Sequence, residues 1–248
     1  MQQLSNEALA LLKAQGANVP EYRLLENPPK IGIVHIGPGA FFRGHQAWYT
    51  HQALAKQGGD WGISAVSMRS PGVSEALTPQ NGLYALAELD AETSYQVVGS
   101  VQEVLIAGTQ FDQVIARLSN PDTKFVTLTI TEKGYCLNTE GTLDLNNAEI
   151  QQDLNGGKQP NTAVGMLSLA LANRKAAGLA PLTILSCDNI TDNGHKLRAA
   201  IIEFTAQQNT KQSDTELSAW LEANLICPCT MVDSITPATD DALRELVS

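Results

Sequence analysis

Residues 30–46 read Lys30-Ile-Gly-Ile-Val-His-Ile-Gly-Pro-Gly-Ala-Phe-Phe-Arg-Gly-His-Gln46. The apolar run from Ile31 to Ile36 predicts a buried strand, and Gly37-Pro38-Gly39 then predicts a turn into a helix. Glycines at such a turn allow a ligand to approach the backbone, while the free N–H groups at the start of the helix favour negative charge. The segment therefore predicts a phosphate-binding turn after the first strand of an α/β sheet.

The glycine spacing is a weak signal when it is taken alone. The usual dinucleotide-binding pattern is G-x-G-x-x-G. Gly37 and Gly39 occupy its first two positions, but Phe42 stands at the third and Gly44 comes two residues late. A Gly-Pro turn that binds no ligand is therefore the alternative to a cofactor-binding turn.

The composition favours a globular protein and argues against several classes of partner. The chain has 248 residues and a net charge of −10, so we expect one large domain and no nucleic-acid surface. No apolar stretch approaches the roughly 20 residues that a membrane-spanning helix needs. The N-terminus lacks the basic and apolar regions of a signal peptide. These features predict a soluble cytoplasmic protein.

The four cysteines are Cys136, Cys187, Cys227 and Cys229, and in a cytoplasmic protein we expect them to be reduced. The pair Cys227-Pro-Cys229 is spaced more closely than the cysteines of zinc sites, and no histidine pair lies nearby in the sequence. We therefore expect these cysteines to be buried, small apolar side chains, and we expect no metal site.

Hydrophobic periodicity and turn residues divide the chain into alternating strands and helices. Strands are predicted at residues 31–36, 61–68, 83–89, 95–101, 125–130, 182–186 and 230–233, and helices at 6–15, 43–57, 111–118, 163–177, 194–207 and 214–224. Residues 70–82 and 139–159 are predicted to be loops. The strands at 83–89 and 95–101 are predicted to form an antiparallel hairpin. The pattern favours an α/β fold, namely a Rossmann-like, mostly parallel sheet flanked by helices, with the hairpin inserted.

Residues suited to ligand binding follow four of the predicted strands. They are residues 37–43 after the first strand, Arg69 after the second, Thr131-Glu132 after a middle strand and Cys187-Asp-Asn189 after a late one. The carboxyl ends of parallel strands meet at one edge of the sheet, where open α/β folds bind their ligands. We therefore expect these four segments to converge on one site.

Several blocks of the sequence match one known family, in the same order. They are His35-Ile-Gly-Pro-Gly-Ala-Phe-Phe-Arg-Gly-His-Gln46, Trp61-Gly-Ile63, Leu77-Thr-Pro-Gln-Asn-Gly-Leu-Tyr84, Thr129-Ile-Thr-Glu-Lys-Gly-Tyr135, Ser186-Cys-Asp-Asn-Ile190 with Asn193-Gly194, and Met231-Val-Asp-Ser-Ile-Thr-Pro237. From about residue 30 onward the chain resembles the N-terminal domain of the mannitol dehydrogenase family of polyol and uronate oxidoreductases. The resemblance implies a Rossmann-like domain that binds NAD or NADP and needs no zinc.

The resemblance also implies how the glycine turn would hold the cofactor. Gly37 and Gly39 would let the pyrophosphate approach the backbone, and Arg43 would place a cation beside the phosphates. Phe41 and Phe42 follow at the start of the helix as further cofactor-binding candidates. Packing in the core is the alternative for this pair, and we expect it for at least one of the two.

The segment after the second strand bears on the choice between NAD and NADP. An NAD enzyme usually offers Asp or Glu there to bind the ribose 2′-hydroxyl. This chain instead has Ser67-Met-Arg-Ser70, with no carboxylate. Arg69 and Ser70 could accommodate a 2′-phosphate, but an arginine here also fits NAD-dependent members of the family. The sequence leaves NAD and NADP as alternatives.

The resemblance assigns catalytic roles to two residues. Asn189 would donate a hydrogen bond to the reacting oxygen, and its alternative is an Asx-turn or helix cap before Asn193-Gly194. Glu132 is associated with proton movement in the family, and its alternative is a surface acid paired with Lys133.

Asp233 matches a family residue that helps to hold the polyol or a neighbouring side chain. Ser234 stands beside it where the family usually has arginine, which weakens any claim about substrate anchoring. His35 lies within the first strand and His45 on the first helix after the glycine turn, so we expect structural roles for both.

The resemblance divides the chain into an N-terminal extension, residues 1–29, and a dinucleotide-binding domain, residues 30–248. The family's helical catalytic domain carries a lysine base in a K-x-x-x-x-N-x-x-H motif, which this sequence lacks. We expect the parent protein to transfer a hydride between NAD(P) and a sugar alcohol or aldonate, and this chain alone to be inactive. The alternatives are a free-standing, non-catalytic nucleotide-binding or sensing module and a dehydrogenase of sugar phosphates, although no excess of Arg or Lys supports the latter.

Overall fold

The computed structural model describes residues 4–89, 93–156, 159–212, 216–237 and 239. The described strands are β1 (Ile31–Ile36), β2 (Gly62–Ser67), β3 (Tyr84–Glu88), β4 (Ser94–Val98), β5 (Val101–Ile106), β6 (Phe125–Leu128) and β7 (Thr183–Ser186). Five of them form a parallel sheet in the order β5-β2-β1-β6-β7. The chain builds outward from β1 to β5 and then returns to the other side of β1. The crevice at this reversal, between β1 and β6, is where Rossmann folds bind their ligands.

The inserted hairpin is confirmed, but the strand after it was not predicted. β3 and β4 pair antiparallel as a separate two-stranded sheet. The predicted strand at 95–101 in fact covers β4 from its second residue and only the first residue of β5. β5 carries Gln102 and Glu103, which interrupt its apolar pattern. These polar residues are tolerated because β5 is an edge strand, where Glu103 forms an ion pair with Arg117 at 2.8 Å.

The described helices are α1 (Asn6–Ala14), α2 (Ala40–Gly44), α3 (Gln46–Gln57), α4 (Gly72–Leu77), α5 (Phe111–Ser119), α6 (Thr131–Gly134), α7 (Ala148–Gly156), α8 (Ala163–Ala176), α9 (Asn193–Gln212) and α10 (Glu216–Asn224). Short 3₁₀ turns cover Glu21–Arg23 and Thr78–Gln80. None of the helices in the described ranges is long and apolar enough to cross a membrane.

Four predictions of local structure were wrong. The helix predicted at 43–57 is divided into α2 and α3 by a break at His45, whose φ of −121° and ψ of −84° are not helical. The predicted loops 70–82 and 139–159 contain α4, which has only six residues, and α7, in which Ile150 and Leu154 are the only large apolar residues, so neither shows a clear helical period. Residues 230–233, predicted to be a strand, have no regular secondary structure and no described sheet pairing.

The sheet is buried on both faces, which explains why β1 is continuously apolar rather than alternating. Val34 and Ile36 face the larger core with α5, α8 and α9, whereas Ile33 faces a smaller core with α3. The N-terminal segment is attached to this body, because Leu9 and Val19 pack against Leu83 and Val97 beside the hairpin.

Candidate functional site

Two neighbouring cavities lie at the carboxyl ends of the parallel strands. The larger cavity has a volume of about 670 Å³ and is lined by Gly37, by Ser67 to Ser70 after β2, and by the start of α7. The smaller cavity has a volume of about 320 Å³ and is lined by Gly39, Phe41, Asn189 and Asp233. Thr131 lines both cavities. The expected convergence of the four strand ends is therefore what the structure shows.

Gly37 is a glycine for structural reasons. Its φ is +93°, and a Cβ at this position would clash with the carbonyl oxygen of Thr129. Its N–H donates to the carbonyl oxygen of Val66 at 2.9 Å. Gly37 therefore holds the ends of β1, β2 and β6 together and leaves no room for a side chain.

Gly39 differs, because the protein itself leaves space at this residue. It has an ordinary φ of −68° and caps the start of α2. The nearest heavy atom to a Cβ there would be the carbonyl oxygen of Gly37, at 3.9 Å. Gly39 also lines the smaller cavity. A ligand can therefore approach the backbone at this position, as the glycine turn predicts.

The cofactor contact predicted for Phe42 is not supported. Phe42 is fully buried, and its ring stacks on His35 with centroids 3.6 Å apart. The His35 Nδ1 bonds to the Thr127 hydroxyl at 2.8 Å and its Nε2 to that of Thr129 at 3.0 Å. Burial lowers the pKa of His35 to about 3. The expectation that one phenylalanine of the pair packs in the core agrees with this position, as does the structural role expected for His35.

Phe41, Arg43 and His45 shape the turn and its surroundings. The Arg43 guanidinium donates to the carbonyl oxygen of Pro38 at 2.8 Å, so it braces the glycine turn from within the protein. His45 stacks on Phe41 and bonds to its carbonyl oxygen at 2.9 Å. The other ring nitrogen of His45 lies 2.9 Å from the Ser234 hydroxyl. His45 therefore ties the Asp233 segment to the glycine turn.

Arg69 is positioned at the larger cavity but is already engaged. Its guanidinium forms an ion pair with Glu149, from the first turn of α7. Both side chains line the cavity together with Ser67 and Ser70. The sequence contains no carboxylate directly after β2, and the structure brings one from a helix that was predicted to be loop.

Asp188 is a central residue of the site that the sequence did not single out. Its carboxylate accepts from the N–H groups of Ile130 at 2.9 Å and Thr131 at 3.1 Å, and from the Tyr135 hydroxyl at 2.6 Å. Burial, and then the nearby Asp188 charge, raise the pKa of Tyr135. Thr131 has a φ of +63°, which is rare for a β-branched residue. Asp188 therefore stabilises a strained turn between the two cavities.

Asn189 and Asp233 both line the smaller cavity. Both are exposed, and no residue in the described ranges hydrogen-bonds to either side chain. The alternative for Asn189, a side chain that forms a turn or caps the helix before Gly194, is therefore not what the described residues show. Two polar side chains without protein partners in one cavity are available to a polar ligand.

Glu132 is not brought into either cavity. It is exposed on the single turn of α6, while its neighbours Thr131 and Lys133 line the cavity walls. None of the ion pairs between described residues joins Glu132 to Lys133, so the paired-acid alternative is not seen either. Glu132 is exposed directly after Thr131, the residue that lines both cavities.

Asn193 is a second residue whose importance the sequence did not reveal. It is 2% exposed, and its amide nitrogen lies 3.0–3.2 Å from acceptors on Ser186, Asp188 and Thr230. Its side-chain oxygen accepts from the N–H of Thr230 at 3.0 Å and of Gly194 at 2.7 Å. Asn193 thus joins the end of β7 to the start of α9 and to the segment that carries Asp233.

The cysteines differ in their surroundings. Cys227 is buried as expected, and burial raises its pKa to about 12, but Cys229 is exposed, which contradicts the expected burial. The ligand atoms of Asp192, His195 and Cys229 lie within 4.8 Å of one another on the surface. Among the described residues, none hydrogen-bonds to the His195 ring to orient it, as a second partner does in most metal sites.

Comparisons with known proteins identify relatives of this chain. Residues 31–247 match the family model of the mannitol dehydrogenase Rossmann domain. A D-mannonate oxidoreductase of Escherichia coli (strain K12) is 42% identical over 224 residues, which cover 86% of this chain and 44% of the relative. A mannitol 2-dehydrogenase of Phaeosphaeria nodorum is 39% identical, with 93% of this chain and 40% of the relative covered.

The fold is likewise similar to a solved structure. The ternary complex of Pseudomonas fluorescens mannitol 2-dehydrogenase with NAD and D-mannitol superposes with a TM-score of 0.89 at 36% identity, covering 99% of this chain and 50% of that one. The chain therefore spans about half the length of the relatives that it matches.

Proposed function

The chain belongs to the mannitol dehydrogenase family, and we propose that it is the cofactor-binding part of an oxidoreductase that transfers a hydride between NAD or NADP and a sugar alcohol or aldonate. One observation carries this proposal. The strand order reverses beside β1, and at that point Gly39, which has no side chain, lines a cavity together with Asn189 and Asp233. The relatives reported above are oxidoreductases and dehydrogenases, so the non-catalytic alternative is not favoured.

The two cavities suit the two ends of a dinucleotide. In Rossmann domains the pyrophosphate lies at the turn after β1 and the adenosine ribose after β2. We therefore assign the adenosine to the larger cavity near Arg69, the pyrophosphate to Gly37 and Gly39, and the nicotinamide to the smaller cavity. Phe41 lies on the wall of that smaller cavity. Arg43 contributes by holding the turn in shape.

The residues of the smaller cavity supply what hydride transfer requires from the protein. A bound nicotinamide accepts or supplies the hydride. The Asn189 amide N–H donates to the substrate oxygen, whose negative charge grows as the carbinol proton leaves. The Asp233 carboxylate accepts hydrogen bonds from substrate hydroxyl groups. We assign the passage of the released proton to solvent to Glu132, which is exposed next to Thr131 in the chain.

A second, helical domain that supplies the lysine base is part of the proposal. The chain spans about half the length of its relatives. Met231 and Ile235, which flank Asp233 in the sequence, are 95% and 88% exposed. Apolar side chains this exposed beside a polar cavity fit a surface that another domain covers. Sequencing the gene beyond the codon for Ser248 tests this: we expect a helical domain with K-x-x-x-x-N-x-x-H, and a stop codon would contradict it. We place the parent protein in the cytoplasm, in keeping with its free cysteines.

Binding of reduced cofactor tests the function of this chain directly. Titration with NADH and with NADPH, followed by nicotinamide fluorescence, should show saturable binding of at least one of them, with adenosine and inorganic phosphate as controls. Absence of saturable binding of either dinucleotide would contradict the proposal.

The catalytic part is tested in the full-length parent. Asn189→Ala should lower kcat by about 10²–10³-fold, the usual cost of removing one donor to a developing oxyanion. Cofactor affinity should change little, because Asn189 is assigned to the substrate oxygen. An unchanged kcat would exclude this role.

A further inference from the structure

An ion pair between Arg69 and Glu149 lies at the wall of the larger cavity. It is not apparent from the sequence after β2. After β2 the chain offers Arg69 between Met68 and Ser70, with no acid. Read alone, this segment lacks the carboxylate that usually selects the 2′-hydroxyl of NAD, and it leaves NAD and NADP as alternatives. The inference below rests on the cofactor site proposed above.

The structure supplies a carboxylate from a distant part of the chain. Asn147 caps α7, since its side-chain oxygen accepts from the N–H groups of Glu149 at 2.9 Å and Ile150 at 3.3 Å. Ile150 is completely buried and anchors the helix to the core. Glu149 is therefore held in the first turn of α7, with its side chain directed to the Arg69 guanidinium.

This ion pair leaves a free acceptor at the place where the ribose is assigned. Glu149 Oε1 is bound by Arg69, and among the described residues none donates to Oε2. Arg69 and Glu149 are 71% and 44% exposed, so the pair contributes little to the stability of the fold. Its effect on a ligand is larger, because both groups line the cavity wall.

NAD and NADP would interact differently with Arg69 and Glu149 at the cavity wall. A 2′-hydroxyl can donate to the Glu149 carboxylate while the ion pair with Arg69 stays intact. A 2′-phosphate carries a charge of about −2 and cannot donate in its ionised form. It would share Arg69 with the Glu149 carboxylate, which already takes one guanidinium nitrogen, and would lie close to a like charge. Lys133 also lines the cavity but follows β6, on the other side of β1 from β2.

We propose that Glu149 makes this site selective for NAD over NADP, by occupying Arg69 and by accepting a hydrogen bond from the ribose 2′-hydroxyl. The acid that other NAD-binding folds place after the second strand comes here from α7. Arg69 acts as the positioning residue that holds the Glu149 carboxylate at the cavity wall.

The test compares the dissociation constants of NADH and NADPH for the chain, measured by fluorescence titration at one ionic strength. The wild-type chain should bind NADH at least about 10-fold more tightly than NADPH. Glu149→Gln keeps the size of the side chain and removes its charge, so it should move the ratio toward NADPH by about 10-fold or more. Glu222→Gln makes the same change of net charge on the exposed surface of α10 and should leave the ratio unchanged.

A double variant assigns the effect to Arg69. In Glu149→Gln with Arg69→Gln, the gain in NADPH affinity should disappear, because the freed guanidinium that binds the 2′-phosphate is gone. Unchanged ratios in Glu149→Gln, or a wild-type chain that prefers NADPH, would overturn this inference and leave the proposed function intact. Failure of the wild-type chain to bind either dinucleotide would overturn both. Circular dichroism of each variant confirms that it is folded.

Discussion

Gly37 and Gly39 show how two glycines of one motif serve different purposes. Gly37 has a φ of +93°, and its missing Cβ is required by the carbonyl oxygen of Thr129. Gly39 has an ordinary φ, and the nearest atom to its missing Cβ is 3.9 Å away. The protein's own packing requires the first glycine, whereas only a ligand would require the second.

Alanine at each position should separate these purposes. Gly37→Ala should lower the free energy of unfolding by at least about 2 kcal/mol, because it combines backbone strain with a clash. Gly39→Ala should cost less than about 1 kcal/mol, the scale of a weakened helix cap, yet weaken NADH binding. Urea unfolding and cofactor titration measure the two effects. Equal stability losses in the two variants would contradict this distinction.

His35 should make the stability of the fold depend on pH. Its pKa in the folded protein is about 3, against about 6.5 in the unfolded chain. Between these values the unfolded chain binds a proton that the folded protein does not. Stability is therefore lost as the pH falls below about 6.5, by about 2 kcal/mol between pH 7 and pH 5 for this group.

The measurement is urea unfolding at pH 7 and pH 5 for the wild type and for His35→Asn, which keeps a donor near Thr127. His35→Asn should be less stable at pH 7 but should lose about 2 kcal/mol less on acidification. Burial also lowers the pKa of His51, to about 4, and that contribution cancels in the comparison. Identical losses in both proteins would show that His35 does not titrate as described.

At the scale of the elements, Asn193 determines how the Asp233 segment reaches the cavity. No described strand pairing holds residues 230–233. They are held by the Asn193 side chain, which bonds to Thr230 through both its oxygen and its nitrogen. This buried amide joins β7, α9 and the segment, and the His45 contact with Ser234 joins the segment to the glycine turn.

Replacing Asn193 by Ala should destabilise the protein by about 2–4 kcal/mol, because several buried backbone groups lose their partner. Asn189→Ala is the matched control, since the same change of side chain occurs on an exposed residue with no described partner. It should alter stability by less than about 0.5 kcal/mol. Denaturant unfolding of both variants measures the difference, and similar values would show that the Asn193 bonds are dispensable.

At the scale of the whole molecule, we expect this chain to retain cofactor binding but not catalytic turnover of substrate. Both cavities lie within this chain, but the family's lysine motif does not. The chain alone should therefore bind cofactor yet show no oxidation of mannitol or mannonate, measured as NADH or NADPH absorbance. Turnover that disappears in Asn189→Ala would show that the chain contains its own base.

Much of this architecture is readable in the sequence because it depends on local features. The apolar run of β1 and the glycine turn after it lie within about ten residues of each other, so periodicity and turn chemistry suffice to locate them. The hairpin was predicted for the same reason. β5 was missed because its edge position tolerates Gln102 and Glu103 within the apolar run, and α7 because Ile150 and Leu154 are its only large apolar residues.

By itself, the sequence determined the α/β class, the glycine turn, and the strand ends that carry Arg69 and Asn189, since each depends on neighbours along the chain. Only the tertiary structure decided that Phe42 lies in the core, that Asp188 and Asn193 hold the site together, and that Glu149 faces Arg69. Those relationships join residues 37 to 80 positions apart, or depend on which side of a helix faces the sheet. Packing of the whole chain determines such contacts, and no local pattern in the sequence encodes them.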